Sequence, residues 1–222
     1  MLGEEGTVAR EPRQKGSSVL PLIERLKAHP DREKLVPEGL WKYFDDHLLV
    51  SGWYPEQDYF TLLQALVKTM DPKTVGGDVW RYFAKFSVQR DIAGSDIGRT
   101  SAESKGVYRN FASDVEADSD QLFKRAVRLW SQYHDSGTMQ VVGGRARTNS
   151  VVVQLVGFII PVDGFVRLQG YYLEEFGRVL GIALESKVTK STARGQPLCE
   201  WEYILERTPP SEAYVASLPP LA

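Results

Sequence analysis

The sequence predicts an α+β fold, with a helical N-terminal half packed on a small antiparallel sheet of ββαββ order. Three observations predict it. Up to Asp135 the apolar residues recur mostly at helical steps. After Gly137 they alternate or run in short β-branched blocks, the strand signature. One helical stripe, Phe165 to Leu180, separates the strands into two pairs.

The first eighteen residues mix both charge signs and have no apolar core, so they read as a disordered leader rather than a secretory signal. Order is expected from near Val19. Val19, Leu22, Ile23 and Leu26 have helical spacing, and Pro30-Asp31 ends that helix. Arg32 to Val50 carries Leu35, Leu40, Trp41, Phe44 and Leu48, again mostly at helical steps. Pro55 to Met70 is a clear amphipathic helix, with Tyr59, Leu62, Leu63, Leu66, Val67 and Met70 in one stripe. Asp78 offers an N-cap to a following helix that carries Val79, Phe83 and Phe86. Residues 87–110 are rich in Gly, Ser and charge and read as a long loop. Asp118 to Asp135 is helical, with Asp118 and Gln121 as a variant capping box and Gly137 as the C-cap.

Met139 to Val142 and Ser150 to Ile160 read as strands joined by the turn-rich GGRARTN. The second is apolar on both faces and is expected at the centre of the sheet. Residues 182–189 and 199–206 alternate, which predicts strands with one packed face and one wet face. The tail from Thr208 holds four prolines and is expected to be irregular. The domain reading is a leader over 1–18, one α+β domain over 19–207 (helical half 19–136, ββαββ half 137–207), and a Pro-rich tail over 208–222.

Composition narrows the function. The 222 residues carry 27 basic and 29 acidic side chains, a net charge of −2, which argues against a bulk electrostatic grip on nucleic acid. Residues 151–162 form the longest apolar stretch, too short for a membrane-spanning helix. One cysteine, Cys199, excludes an internal disulfide framework, and a cytoplasmic location is expected. No G-x-S-x-G, H-E-x-x-H, P-loop or G-x-G-x-x-G occurs, so no enzyme class is indicated.

The stretch from Gly170 to Arg207 ends in Arg194, Gly195, Pro197, Cys199, Glu200, Trp201 and Glu202. This ending resembles that of 4-vinyl-reductase-type small-molecule-binding domains. That superfamily is related in fold to haem–nitric-oxide-binding domains and to TRAPP membrane-tethering subunits. With GWYPEQDYFTLLQAL and the Leu129-Trp130…Tyr133…Gly137 block, the chain also resembles a group of small myxobacterial, hence bacterial, proteins. The resemblance implies a ligand-binding fold and a homodimer. Its zinc-binding members use cysteines and a glutamate near the last hairpin. Here only Cys199 matches, with Ser191 eight residues earlier and Val188 where a carboxylate would stand. A structural zinc needs about four ligands, so no zinc is expected. The Tyr-x-Ser-x-Arg motif of haem-binding relatives is absent, so haem is not expected either.

The remaining constellations have structural and functional readings. His47 beside Asp45-Asp46 reads as a solvated face rather than a metal site. His134 lies near a helix C-terminus, where a capping role suffices. Cys199 reads as a small buried hydrophobe at a strand start rather than a modified thiol. Arg90, Arg99, Lys105 and Arg109 read as part of a solvated loop, with a lid or anion site as the alternative. Eleven of the 24 aromatic residues fall between Trp41 and Phe86, as core or as the wall of an apolar pocket.

The resulting expectation is a non-catalytic sensory or regulatory module without cofactor. It would bind a small apolar or aromatic ligand through Trp53, Tyr59, Trp80, Phe83, Trp130, Phe158 and Tyr172. It would signal as a homodimer or to a protein partner, with no nucleic acid and no membrane insertion. The alternative is a protein–protein interaction or scaffold protein with a filled core and no ligand. An enzyme is the third reading, and the family name alone recommends it.

Overall fold

The computed structural model describes residues 11–93 and 118–221. The loop expected over 87–110 lies outside them from residue 94 onward. Its first residues belong to a helix that continues to Ala93. The fold is α+β, with eight α-helices and two antiparallel sheets among the described residues. The chain groups into two compact units, Met1–Thr69 with Ser131–Ser136, and Met70–Trp130 with Gly137–Ala222.

The first unit begins with β1 (Arg13–Lys15) and α1 (Gly16–Lys27), so order starts ahead of Val19. Val19, Leu22, Ile23 and Leu26 are buried on one face of α1, as their spacing requires. Gly16 is a point of close approach, because a Cβ there would overlap the Leu49 carbonyl. The helical stripe expected over 32–50 is broken into α2 (Arg32–Leu35), a 3-10 turn (Glu38–Leu40) and α3 (Lys42–Asp45). Pro37 explains the first break. It disfavours helix at Val36, which is extended at φ −110°, ψ 128°. Then follow β2 (Trp53–Pro55) and α4 (Glu56–Lys68). β2 pairs with β1 in the register Gln14↔Tyr54, and α4 packs on α1.

The second unit opens with α5 (Val79–Ala93), and the Asp78 carboxylate accepts from Trp80 N at 2.9 Å as the N-cap. In α6 (Ser119–Tyr133) Asp118 does the same for Gln121 N at 2.7 Å. The sheet comprises β3 (Thr138–Arg145), β4 (Ser150–Val156), β5 (Leu184–Lys190) and β6 (Cys199–Leu205), with α7 (Asp163–Val179) between its two hairpins. Its order is β3-β4-β6-β5, antiparallel throughout, so β4 is central as expected. β4 stops at Val156 rather than Ile160 because Gly157 turns the chain at φ 71°.

One sheet face forms the core: Val151, Val153 and Leu155 stand opposite Tyr203, Trp201 and Cys199, and all six are buried. α7 lies against β5, and α5 packs on α7. Trp201 Nε1 donates to the Val166 carbonyl at 2.8 Å and ties β6 to α7. The tail is not irregular. Pro209–Ser217 forms α8, whose Tyr214 stacks on Phe123 at 5.8 Å. Pro209 and Pro210 sit where a helix has no use for N–H donors, and Thr208 and Ser211 form a reciprocal capping box. Beyond it, Leu221 N donates to Gly144 O and Gly144 N to Pro219 O, which covers the edge of β3.

Candidate functional site

The seven aromatic positions fall in both units. Trp53 and Tyr59 belong to the first. Trp53 is half-buried in β2 beneath the Lys15 ammonium at 4.6 Å, and Tyr59 is buried in α4 beside Phe60. The other five belong to the second unit. Trp80 and Phe83 are on α5, Trp130 on α6, Phe158 after β4 and Tyr172 on α7. The Trp130 and Phe158 rings meet edge to face at 5.1 Å, and Tyr172 stacks on Phe176 at 6.3 Å. Trp80 lies against Gly164, where any Cβ would overlap its indole. Phe83, Trp130 and Phe158 are buried, while Trp80 and Tyr172 are half-buried.

The histidines are all in the first unit, so the second unit contains none. His29 is half-buried and its Nδ1 accepts from Asp31 N at 3.1 Å. His47 is exposed. His134 is buried, with Nδ1 3.1 Å from Glu56 Oε1, and its backbone bridges to Gln14. The contact with Glu56, rather than a cap, is what the tertiary structure gives this side chain. Glu56 opens α4 and His134 follows the end of α6, which brings the two helix ends together within the first unit. Among the described residues, no cluster of three or more His, Cys, Asp or Glu is placed to hold a metal ion. Cys199 is buried at the start of β6, its Sγ 3.3 Å from Thr192 Oγ1.

A cavity of about 230 Å³ lies on the second unit, lined by Arg167, Tyr171, Ser186, Val188 and Arg194. Arg167 and Tyr171 stand one turn apart on α7, and Ser186 and Val188 on one face of β5. Arg194 comes from the 3-10 turn Thr192–Arg194. Carboxylates set back from the wall hold these groups. Asp78 accepts from Tyr171 Oη at 3.1 Å and from Arg167 Nη1 at 3.3 Å. Asp163 accepts from Arg194 Nε at 2.8 Å and Nη2 at 3.2 Å. Glu174 accepts from Ser186 N at 2.8 Å and from Arg81 Nη1 at 2.6 Å. Arg81 in turn lies over the Tyr171 ring at 4.1 Å.

The electrostatics follow these contacts. The Arg194 hydrogen bond holds the Asp163 carboxyl below the usual carboxylate range, against the opposing effect of burial. Burial and the bond to Asp78 push the Tyr171 phenol up. Sequence reasoning did not find this cavity. Arg194 belongs to the C-terminal ending singled out in the sequence, whereas Arg167 and Tyr171 fall in no sequence motif. The i, i+4 spacing of Arg167 and Tyr171 was the one signal available.

No protein-family model matches the sequence, and no curated protein matches it significantly. Among solved structures, the chain is similar to a single-site mutant of an H-NOX protein from K. algicida in the Fe(II) unliganded state. The TM-score is 0.50 and the identity 12%, covering 88% of this chain and 98% of that one. It is likewise similar to a Cs H-NOX mutant carrying 4-cyano-L-phenylalanine, at a TM-score of 0.50 and 10% identity, with coverages of 88% and 98%. At such identities the likeness is one of fold: the chain has an H-NOX-like arrangement of helices and sheet.

Proposed function

We propose that this protein is a non-catalytic sensory or regulatory module that binds a small ligand. The observation that carries the reading is the H-NOX-like fold across 88% of the chain. The resemblance of the ending at Arg194–Glu202 to that of 4-vinyl-reductase-type domains points to the same class of fold. The preferred ligand is apolar or aromatic, with Trp80, Phe83, Trp130, Phe158 and Tyr172 as candidates in the second unit and Trp53 and Tyr59 in the first. Signalling through a homodimer or a protein partner in the cytoplasm completes the proposal. No helix among the described residues is long and apolar enough to cross a membrane.

Haem does not fit the residues present. The K. algicida neighbour is an Fe(II) protein. In this chain His134 is engaged by Glu56, His29 is half-buried after α1 and accepts from Asp31 N, and His47 is exposed after α3. The second unit has no histidine, and its one cysteine is buried against Thr192. None of these is presented as an axial ligand.

A specific observation favours a second reading, an interaction or scaffold protein with a filled core. Phe83, Trp130 and Phe158 are at most 5% exposed and pack against other side chains. Native mass spectrometry of the full chain, compared with its denatured mass, separates the two readings. The sensor reading expects an added mass that disappears on denaturation. A clean protein mass in repeated preparations would transfer the weight to the scaffold reading, and the same spectrum reports whether the protein is a dimer.

A further inference from the structure

The cavity between α7 and β5 has more hydrogen-bond donors than acceptors. A guanidinium carries five N–H donors and no acceptor. Arg167 gives one bond, to Asp78, and Arg194 gives two, to Asp163. The Tyr171 and Ser186 hydroxyls already donate to Asp78 and Glu174. The fifth lining residue, Val188, is apolar, so no side chain in the wall carries a carboxylate or an amide. Asp163 orients the Arg194 guanidinium by two bonds and Asp78 holds Arg167 by one, and both half-exposed groups keep N–H groups to spare.

Two further facts limit what can enter. At about 230 Å³ the cavity is below the roughly 300–1,000 Å³ typical of sites for drug-sized ligands. A peptide strand adding to the edge of β5 would need the Ser186 N–H, and Glu174 already takes it. The surrounding charges also balance: Arg81, Arg167 and Arg194 face Asp78, Asp163 and Glu174. A ligand is therefore held by directed hydrogen bonds, not by a diffuse positive field.

We infer that this cavity seats a small oxyanion, a carboxylate or phosphate group, held by Arg167 and Arg194 with Val188 as the apolar wall. A planar carboxylate and a tetrahedral phosphate each present a pair of acceptor oxygens that two N–H groups of a guanidinium can meet. Chloride offers one centre and matches less well. The site shares no residue with the seven aromatic positions and does not rest on the apolar-ligand reading.

The test is a titration of the ¹⁵N-labelled full chain with sodium acetate and, separately, with sodium phosphate. Both are run at constant pH and ionic strength in sodium chloride, and amide shifts are followed. Saturable shifts with either anion are expected. The dissociation constant should rise about tenfold or more in Arg194→Gln, in line with the strength of charge-assisted bonds. Val188→Met keeps both arginines and narrows the cavity, and it should weaken binding to a similar degree. The anion that saturates at lower concentration identifies the group the site prefers. Linear, non-saturating shifts with both anions, or saturation unchanged in both variants, would overturn the inference. A wild-type-like spectrum of Val188→Met guards against loss of fold as the cause.

Discussion

Glu200 and Glu202 show how single residues are set by their neighbours across the sheet. Glu200 accepts from Gln154 Nε2 at 2.6 Å, Thr189 Oγ1 at 2.8 Å and Lys190 Nζ at 2.9 Å. Burial opposes its charge, but these bonds outweigh burial and hold the carboxyl below its ordinary value of 4.5. Glu202 is lowered in the same way, with burial opposed by Ser150 and Arg145. A carboxyl whose pKa is lower in the folded state binds its proton more readily when unfolded. Its contribution is therefore complete above the ordinary value and is lost as pH falls through the folded one. Stability in urea is expected to hold from neutral pH to about pH 5 and to fall below about pH 4.5. Glu200→Gln should cost about 1–3 kcal/mol at pH 7 and shrink that acid-dependent fall. An unchanged acid profile in the variant would remove Glu200 from the account. In the first unit, His134→Leu leaves Glu56 buried without this partner, while Glu56 Oε2 and Gln14 Oε1 have no hydrogen-bond partner among the described residues. The expected loss is about 1–3 kcal/mol, read from the urea midpoint.

Elements were legible where a local pattern determines them. The helices at Gly16–Lys27, Glu56–Lys68 and Asp163–Val179 follow their apolar stripes, and Asp78 and Asp118 cap as their side chains predict. The misread elements have equally local causes. Apolar spacing over 32–50 concealed the effect of Pro37, and a count of prolines concealed that Pro209 and Pro210 open a helix. Thr208→Ala removes half of that capping box and should lower stability by about 1 kcal/mol in urea denaturation. The packing of α7 against α5 is less tolerant. Gly164→Ala would drive a methyl group into the Trp80 ring, with an expected loss of about 1–3 kcal/mol and a changed near-ultraviolet circular dichroism spectrum. Retention of both the wild-type spectrum and stability would mean that the indole is free to move aside.

At the scale of the molecule, an H-NOX-like fold accompanies a set of residues that does not suit haem. Titration of the full chain with haemin is expected to give no saturating Soret shift at one equivalent. A stoichiometric shift that His134→Leu abolished would reverse that conclusion and make His134 an iron ligand. The sequence by itself determined the α+β class, the central place of the strand that starts at Ser150, and the buried face of Cys199, Trp201 and Tyr203. These depend on periodicity and apolar content, which are properties of neighbouring residues along the chain. Only the tertiary structure decided that Glu56 meets His134, that Asp78 meets Arg167 and Tyr171, and that Arg167 and Arg194 line one cavity. Such polar contacts join positions far apart in sequence. They arise from where packing leaves each side chain, and no period along the chain records them.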